Sequence, residues 1–523
     1  MKTLNDMLDA AAQTAASKTA MAWQDGRLSF AQFHVQVLGA ARGLRAAGIG
    51  RGDCVAIIHR NAPEFVISYF ALARLGAVAV PINYMIHKAD ELAYMLKDCG
   101  AKGCVTQKEF IKGVRGAAKQ CPELKRIWLS DASSSECQQG ERVFASLLET
   151  GGDEAFETVA ESDAAAILYT SGTTGNPKGV VLTHRNLTTN CMNSAKRLEI
   201  RGSDAVLCIL PMFHTFAWTG NVLVSVHKAV KLVVVPNIVP PTPWLKLMAK
   251  EGVSLFSAVP QIYGVLAKQA CGFKKIVLRW WFFRRVRIAI SGAAPLGLAV
   301  QDSFENVFGI PILEGYGLTE TSPVVTLNTP DEHRRGSVGR PIDGVSLKVI
   351  DEDGRTLESG QEGEICVKGD CVMKSYYNLP EATADSFTPD GWFKTGDIGI
   401  VDADGYLFIR DRKKDMIIIK GLKVFSAQVE ATLLEHPAIV EAAVIGVPDE
   451  HGDEIIKAFV TLRPGAKADK SAILRYCREK FDPYKRPRDV EIVESLPKNA
   501  LQKVLKRELR QREIEKRAAA AGS

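Results

Sequence analysis

The chain has 523 residues, too many for one ordinary hydrophobic core, which points to two or more domains. Hydrophobic residues at 46% and charged residues at 24% give the balance of a soluble globular protein. The net charge of +6 is slight for this length and by itself implies no nucleic-acid partner.

The opening MKTLNDMLDAAAQTAASKTA has no long apolar run, so no secretory signal is expected there. No stretch of about 20 uncharged apolar residues occurs, and an ordinary transmembrane helix is not expected. Eleven cysteines are scattered from Cys54 to Cys477 without a Cys-x-x-Cys pair. Cys99/Cys104 and Cys366/Cys371 lack His or Cys partners at zinc spacing. Free thiols in a reducing compartment, hence a cytoplasmic enzyme, are the expectation.

In chain order, Cys54–His59 (CVAIIH) reads as a buried strand, Ala62–Leu75 as an apolar-faced helix and Ala77–Pro81 as the next strand. This alternation predicts α/β architecture with largely parallel sheets, continued by Val206–Leu210, Lys231–Val235 and Arg287–Ser291. After about residue 335 the texture shifts to short strands and turns. Val349–Gly354 and Ile400–Gly405 are strand ends running into Asp/Gly turns. Each holds D-x-D-G, but neither has the later ligands and terminal Glu of a calcium loop, so hairpins are predicted. A boundary is placed at Asp411–Asp415 (DRKKD). Beyond it Val429–Glu435 and Ser471–Phe481 read as helices, Ala442–Val447 and Lys457–Leu462 as strands, and the alanine-rich tail as frayed.

The strongest chemical signal is Leu168–Gly179, LYTSGTTGNPKG. A strand enters a loop in which glycines let backbone N–H groups approach phosphate oxygens, hydroxyls add donors and Lys178 adds charge. Pro177 before the lysine and Gly179 after it separate this loop from a Walker A motif. TSGTTGNPKG resembles the signature loop of the adenylate-forming superfamily of acyl-CoA synthetases, aryl-acid ligases, adenylation domains and luciferases. LPMFH (Leu210–His214), SGAAPL (Ser291–Leu296), EGYGLTE (Glu314–Glu320), WFKTGD (Trp392–Asp397), RDRKKD (Arg410–Asp415) and LPKNALQK (Leu496–Lys503) follow in the family order.

The resemblance implies a large N-terminal domain of α/β subdomains plus a β-rich subdomain (residues 1–410), a hinge (411–415) and a small mobile α+β C-terminal domain (416–523). It implies an ATP-dependent acid–CoA ligase that forms an acyl-adenylate and then a thioester, with ATP, Mg²⁺ and coenzyme A as cofactor and co-substrates. Thr170, Ser171, Gly172, Thr173, Thr174, Gly175 and Lys178 would serve the phosphates. Gly292, Ala293, Ala294, Glu314, Gly315 and Tyr316 would line the nucleotide, Thr319 its phosphate region, and Glu320 would hold the metal. One carboxylate suffices, because Mg²⁺ commonly keeps phosphate and water ligands. Asp397 would accept from the ribose hydroxyls, Arg412 contact the nucleotide, Lys414 act as the hinge and Lys503 reach the reacting phosphate.

His214 falls where the family places a positioning residue between acyl pocket and nucleotide. Where many members have a serine–glycine–glycine run after the hinge, this chain has Ile419–Lys420–Gly421, which resembles the KG form of plant hydroxycinnamate–CoA ligases and implies that Lys420 and Gly421 touch CoA. Gln502 departs from the glycine usual before the lysine.

The apolar segments Thr215–Asn221 and Ala258–Tyr263 point first to a medium- to long-chain fatty acid and second to an aryl acid. Loading of a carrier protein, and a non-catalytic nucleotide-binding regulator, are the alternatives. Phe273–Arg287 (FKKIVLRWWFFRRVR) belongs to no motif. It reads either as a helix packing its aromatics on the domain or as a peripheral membrane contact.

Overall fold

The computed structural model describes residues 1–86, 88–149, 151–152, 155–170, 176–419, 422–448, 454–499 and 502–521. The chain forms two compact units, Met1–Ser346 with Val367–Phe393, and Leu347–Cys366 with Lys394–Ser523.

The first unit is built on two sheets. One has nine strands, whose centre runs parallel through Lys231–Val234, Ala205–Cys208, Leu255–Ala258, Ile288–Ser291 and Ile312–Gly317. The other has eight, with Val78–Pro81, Cys54–Ile58, Gly103–Thr106 and Arg126–Leu129 parallel at its centre. All five residues of Cys54–Ile58 are buried, as expected of a parallel strand covered on both faces. The following helix, Pro63–Leu75, starts with Pro in its first turn and stops at Gly76, whose φ of 66° is the left-handed cap glycine adopts readily. The predicted elements therefore stand with ends shifted by a residue or two.

Asn61, 5% exposed, ties the loop after Cys54–Ile58 to the other sheet. Its amide donates to the Leu210 and Val235 carbonyls at 2.8 and 3.1 Å and accepts the Met212 N–H at 2.8 Å. One buried side chain thus fixes the segment that leads to His214.

A four-stranded sheet, with most of its residues in the second unit, orders Val345–Ile350, Glu362–Gly369, Phe393–Val401 and Leu407–Arg412. The hairpin turns are self-contained: the Asp402 carboxylate accepts the N–H groups of Asp404 and Tyr406 at 3.0 and 2.9 Å. Among the described residues no cluster of three His, Cys, Asp or Glu could hold a metal. Helices Ser426–Leu434 and Lys470–Lys480 contribute to one core with strands Ile439–Pro448, Glu454–Leu462 and Asp489–Ile492. The tail expected to fray is helical from Lys506 through Ala521. Glu513 anchors it, taking a 2.6 Å contact from the buried Lys457 ammonium.

The cysteines are free thiols, most of them buried. Among the described residues no helix is long and apolar enough to cross a membrane.

Candidate active site

Strand Ile312–Gly317 carries Glu314, Gly315 and Tyr316 and ends where a short helical turn, Thr319–Thr321, begins. A methyl group on Gly317 would lie 1.9 Å from the Pro323 carbonyl oxygen, so only glycine lets the chain double back here. That reversal sets Thr319 and Glu320 at the strand end. The Tyr376 hydroxyl donates to Glu320 Oε1 at 3.0 Å, and the Met373 N–H donates to the Glu320 carbonyl at 2.7 Å. The Lys178 ammonium lies 5.0 Å from the centroid of the Tyr376 ring. Burial, then the Glu320 charge, hold the Tyr376 phenol well above its ordinary pKa, so it remains a donor.

Lys178 and Thr170 are opposite residues of one antiparallel pair, with the Thr170 hydroxyl 3.4 Å from the Lys178 carbonyl. Ser171, Gly172, Thr173, Thr174 and Gly175 between them lie outside the described residues, as do Lys420 and Gly421.

Gly292, Ala293 and Ala294 follow the buried strand Ile288–Ser291. A methyl on Gly292 would be 3.1 Å from the Phe216 ring, and one on Gly220 3.5 Å from it. Phe216 thus stands between two glycines. Ala293 takes a φ of 67°, a left-handed conformation costing a non-glycine residue on the order of 1 kcal/mol. The Leu296 N–H reaches Glu314 Oε1 at 3.2 Å, and burial pushes this carboxyl up to about 7.

His214 caps the short helix Thr215–Ala217, with the Phe216 N–H donating to its Nδ1 at 3.3 Å. That bond assigns the neutral ring proton to Nε2 and fixes the ring's direction. Of the two segments expected to line an acyl pocket, Trp218, Asn221 and Tyr263 are fully buried. The Tyr263 hydroxyl lies within 2.9 Å of the Phe256 carbonyl and 2.8 Å of that of Ile290, which makes it a core fastening.

In the second unit Asp397 and Arg412 are opposite residues of neighbouring strands, with Arg412 Nε 3.4 Å from Asp397 Oδ1. Lys503 joins them from the chain's end. Burial, followed by the charge of Arg412, lowers its ammonium to about 8, and Asp397 pulls the other way. The Asn499 side chain accepts the Lys503 N–H at 3.0 Å, and the Asn499 N–H donates to the Lys503 carbonyl at 2.9 Å. Gln502 has a φ of 62°, which explains why a glycine suits that position. Lys414 is exposed, yet its ammonium falls to about 8 through local desolvation and then the charge of Arg412. Arg510 donates to the Asp415 carboxylate at 2.8 Å.

The donor set suits a hard divalent ion that takes most of its ligands from phosphate and water: one oriented carboxylate, Glu320, while among the described residues no group of three His, Cys, Asp or Glu could hold a metal by itself. The sequence reading missed Tyr376 and Asn61; Phe216 falls within the segment Thr215–Asn221 expected near the acyl group. Tyr376 has no signal in the sequence, because it reaches its place only when Ser375–Tyr376 pairs with the edge strand Lys178–Thr183.

The AMP-binding enzyme family model matches residues 8–377, and the AMP-binding enzyme C-terminal domain model matches residues 428–503. A long-chain-fatty-acid–CoA ligase of Bacillus subtilis is 34% identical over 98% of this chain and 95% of its own length. 4-Coumarate–CoA ligase 5 of Oryza sativa subsp. japonica is also 34% identical, over 92% of this chain and 89% of its own. The crystal structure of the anthranilate CoA ligase AuaEII with anthranoyl-AMP superposes with a TM-score of 0.89 at 29% identity, covering 99% of this chain and 98% of that one.

Proposed function

This chain belongs to the AMP-binding enzyme family, and from that premise we propose that it is an ATP-dependent acid–CoA ligase. A carboxylate oxygen of the acid attacks the α-phosphorus of ATP, and pyrophosphate leaves with the bonding electron pair. The CoA thiol then loses its proton, its sulfur attacks the acyl carbon and AMP departs, leaving the thioester.

The observation that carries the reading is the gathering of Asp397, Arg412 and Lys503, drawn from distant parts of the sequence into one charged cluster. A carboxylate for ribose hydroxyls beside two cations for phosphate is what an adenylating enzyme needs. Lys503 supplies charge to the adenylation transition state. Glu320, oriented by Tyr376, would hold Mg²⁺, which when bound neutralises charge on the phosphate oxygens. Lys178 adds a cation, Gly292–Ala294 and Gly315 leave room for a flat base, and His214 orients rather than transfers a proton. Lys420 and Gly421 would meet CoA, and Lys414 would be the hinge.

The acid proposed is a medium- to long-chain fatty acid, supported by the fatty-acid ligase relative and by the mostly apolar segments Thr215–Asn221 and Ala258–Tyr263. A second reading, an aryl acid, is favoured by the half-buried Phe216 ring, a flat apolar wall beside Gly292. The enzyme is proposed to work in the cytoplasm with peripheral contact at a membrane.

The test is pyrophosphate release over a panel of acids, with and without CoA. Release with one acid class, and thioester only when CoA is present, is the expected result. Silence with every acid would leave a nucleotide-binding regulator, and thioester on a carrier protein alone would replace CoA as the acceptor.

A further inference from the structure

Between Asp204 and Asp302 the chain holds a single acidic residue, Glu251, among many lysines and arginines. Glu251 is only 5% exposed, and it is taken by Lys231 at 2.9 Å and by Arg27. This long stretch therefore presents cationic charge to solvent with no exposed acid of its own.

Its most basic part sorts its aromatic residues into two sets. Leu278–Phe282 forms a wide helical turn closed by a bond from the Phe283 N–H to the Leu278 carbonyl at 2.9 Å. A five-residue bond shifts the face by one position relative to an α-helix, so Phe283 and not Phe282 points fully inward. Phe283 is 2% exposed and packs against Phe256, Phe304 and Phe308. Trp280 and Trp281, by contrast, are 66% and 64% exposed, and Ile276 one turn earlier is 55% exposed. Lys274, Lys275 and Arg284 are exposed around them, and helix Pro241–Glu251, which packs against this turn, adds exposed Lys246 and Lys250.

Two adjacent tryptophans left in water are costly unless something covers them. The exposed charges that Phe273–Arg287 and helix Pro241–Glu251 place beside the tryptophans are all cationic, which calls for an anionic cover, and that cover must accept an aliphatic side chain as well as indole rings. A phosphate backbone meets the first need; a phospholipid surface meets both.

We propose that this face docks on an anionic phospholipid bilayer. Trp280, Trp281 and Ile276 enter the boundary between headgroups and acyl chains, while Lys274, Lys275 and Arg284 meet lipid phosphates. The inference deepens the membrane contact proposed above and does not depend on which acid is activated.

The test is sedimentation of the full chain with phosphatidylcholine vesicles, with and without phosphatidylglycerol. Binding should require the anionic lipid and weaken as salt shortens the range of the charges. Trp280→Ser with Trp281→Ser should lower vesicle affinity on the order of tenfold while sparing activity on soluble acids. Lys274→Gln with Lys275→Gln and Arg284→Gln should lower it at low salt and lose less at high salt. These side chains are exposed, so the fold should survive, which the thermal midpoint would check. Three results would overturn the proposal: no sedimentation of the wild type at low salt, unchanged binding by the tryptophan variant, or binding of single-stranded RNA through the same tryptophans as tightly as of vesicles.

Discussion

Asp411 caps the helix that begins at Ser426. Its Oδ2 accepts the Ser426 hydroxyl at 2.7 Å and the Ala427 N–H at 3.2 Å. Ser426 Oγ in turn accepts from the Lys506 ammonium at 2.7 Å, and Lys506 pairs with Glu430 at 2.6 Å. A carboxylate from strand Leu407–Arg412 thus satisfies the helix start and, through Ser426, fastens the segment just after Lys503.

This contact spans the proposed hinge at Lys414 and would have to break if the small domain rotates there. Asp411→Ala should cost about 1–3 kcal/mol, because Ser426 is fully buried and would lose its acceptor. Adenylation should fall further than thioester formation from supplied acyl-adenylate and CoA. The two half-reactions, assayed separately beside the thermal midpoint, decide it; equal loss in both would reduce Asp411 to a stability residue.

Tyr376→Phe removes one oxygen and leaves the ring under Lys178 in place. If the phenol orients Glu320 as a metal ligand, the magnesium concentration for half-maximal rate should rise about tenfold or more, with a smaller change at saturating metal. A fall in rate that saturating magnesium does not recover would show that Tyr376 acts otherwise.

How far the sequence could be read divides along chain distance. Parallel strands such as Cys54–Ile58 are legible because apolar runs buried on both faces are local signals. The residues around Lys503 are legible as motifs, but their mutual placement depends on the pairing of Asp397 with Arg412, which no spacing encodes. Tyr376 and the Asp411–Ser426 cap are invisible for the same reason. In Phe273–Arg287 an α-helical period misassigns Phe283, since one wide turn moves the inward face by a residue.

Gln502 sits at a φ of 62°, where glycine is free of the steric penalty. Gln502→Gly should leave the thermal midpoint nearly unchanged, the relief of strain offset by greater freedom of the unfolded chain. Gln502→Val should instead lower stability by about 1–2 kcal/mol, since a β-branched side chain fits this conformation poorly. Circular dichroism melts of both variants would settle the sign, and a stabilised valine variant would refute it.

The last prediction concerns Lys503. Lys503→Ala should lower adenylation by about a hundred- to a thousand-fold, the usual cost of deleting a donor aimed at transition-state charge. Acyl-CoA formation from supplied acyl-adenylate should persist. An ammonium lowered to about 8 also sets two pH signatures. In activity, kcat/KM for ATP should fall as pH rises through about 8 and the free enzyme loses this charge. In stability the sign is the reverse. An unfolded lysine keeps its proton to about pH 10.4, so between these values the unfolded chain binds more protons than the folded one. The contribution of Lys503 to stability therefore improves with rising pH across that window, and Lys503→Met should flatten the rise. Near-normal adenylation by Lys503→Ala, or a melting profile unchanged by Lys503→Met above pH 8, would remove Lys503 from the proposed chemistry.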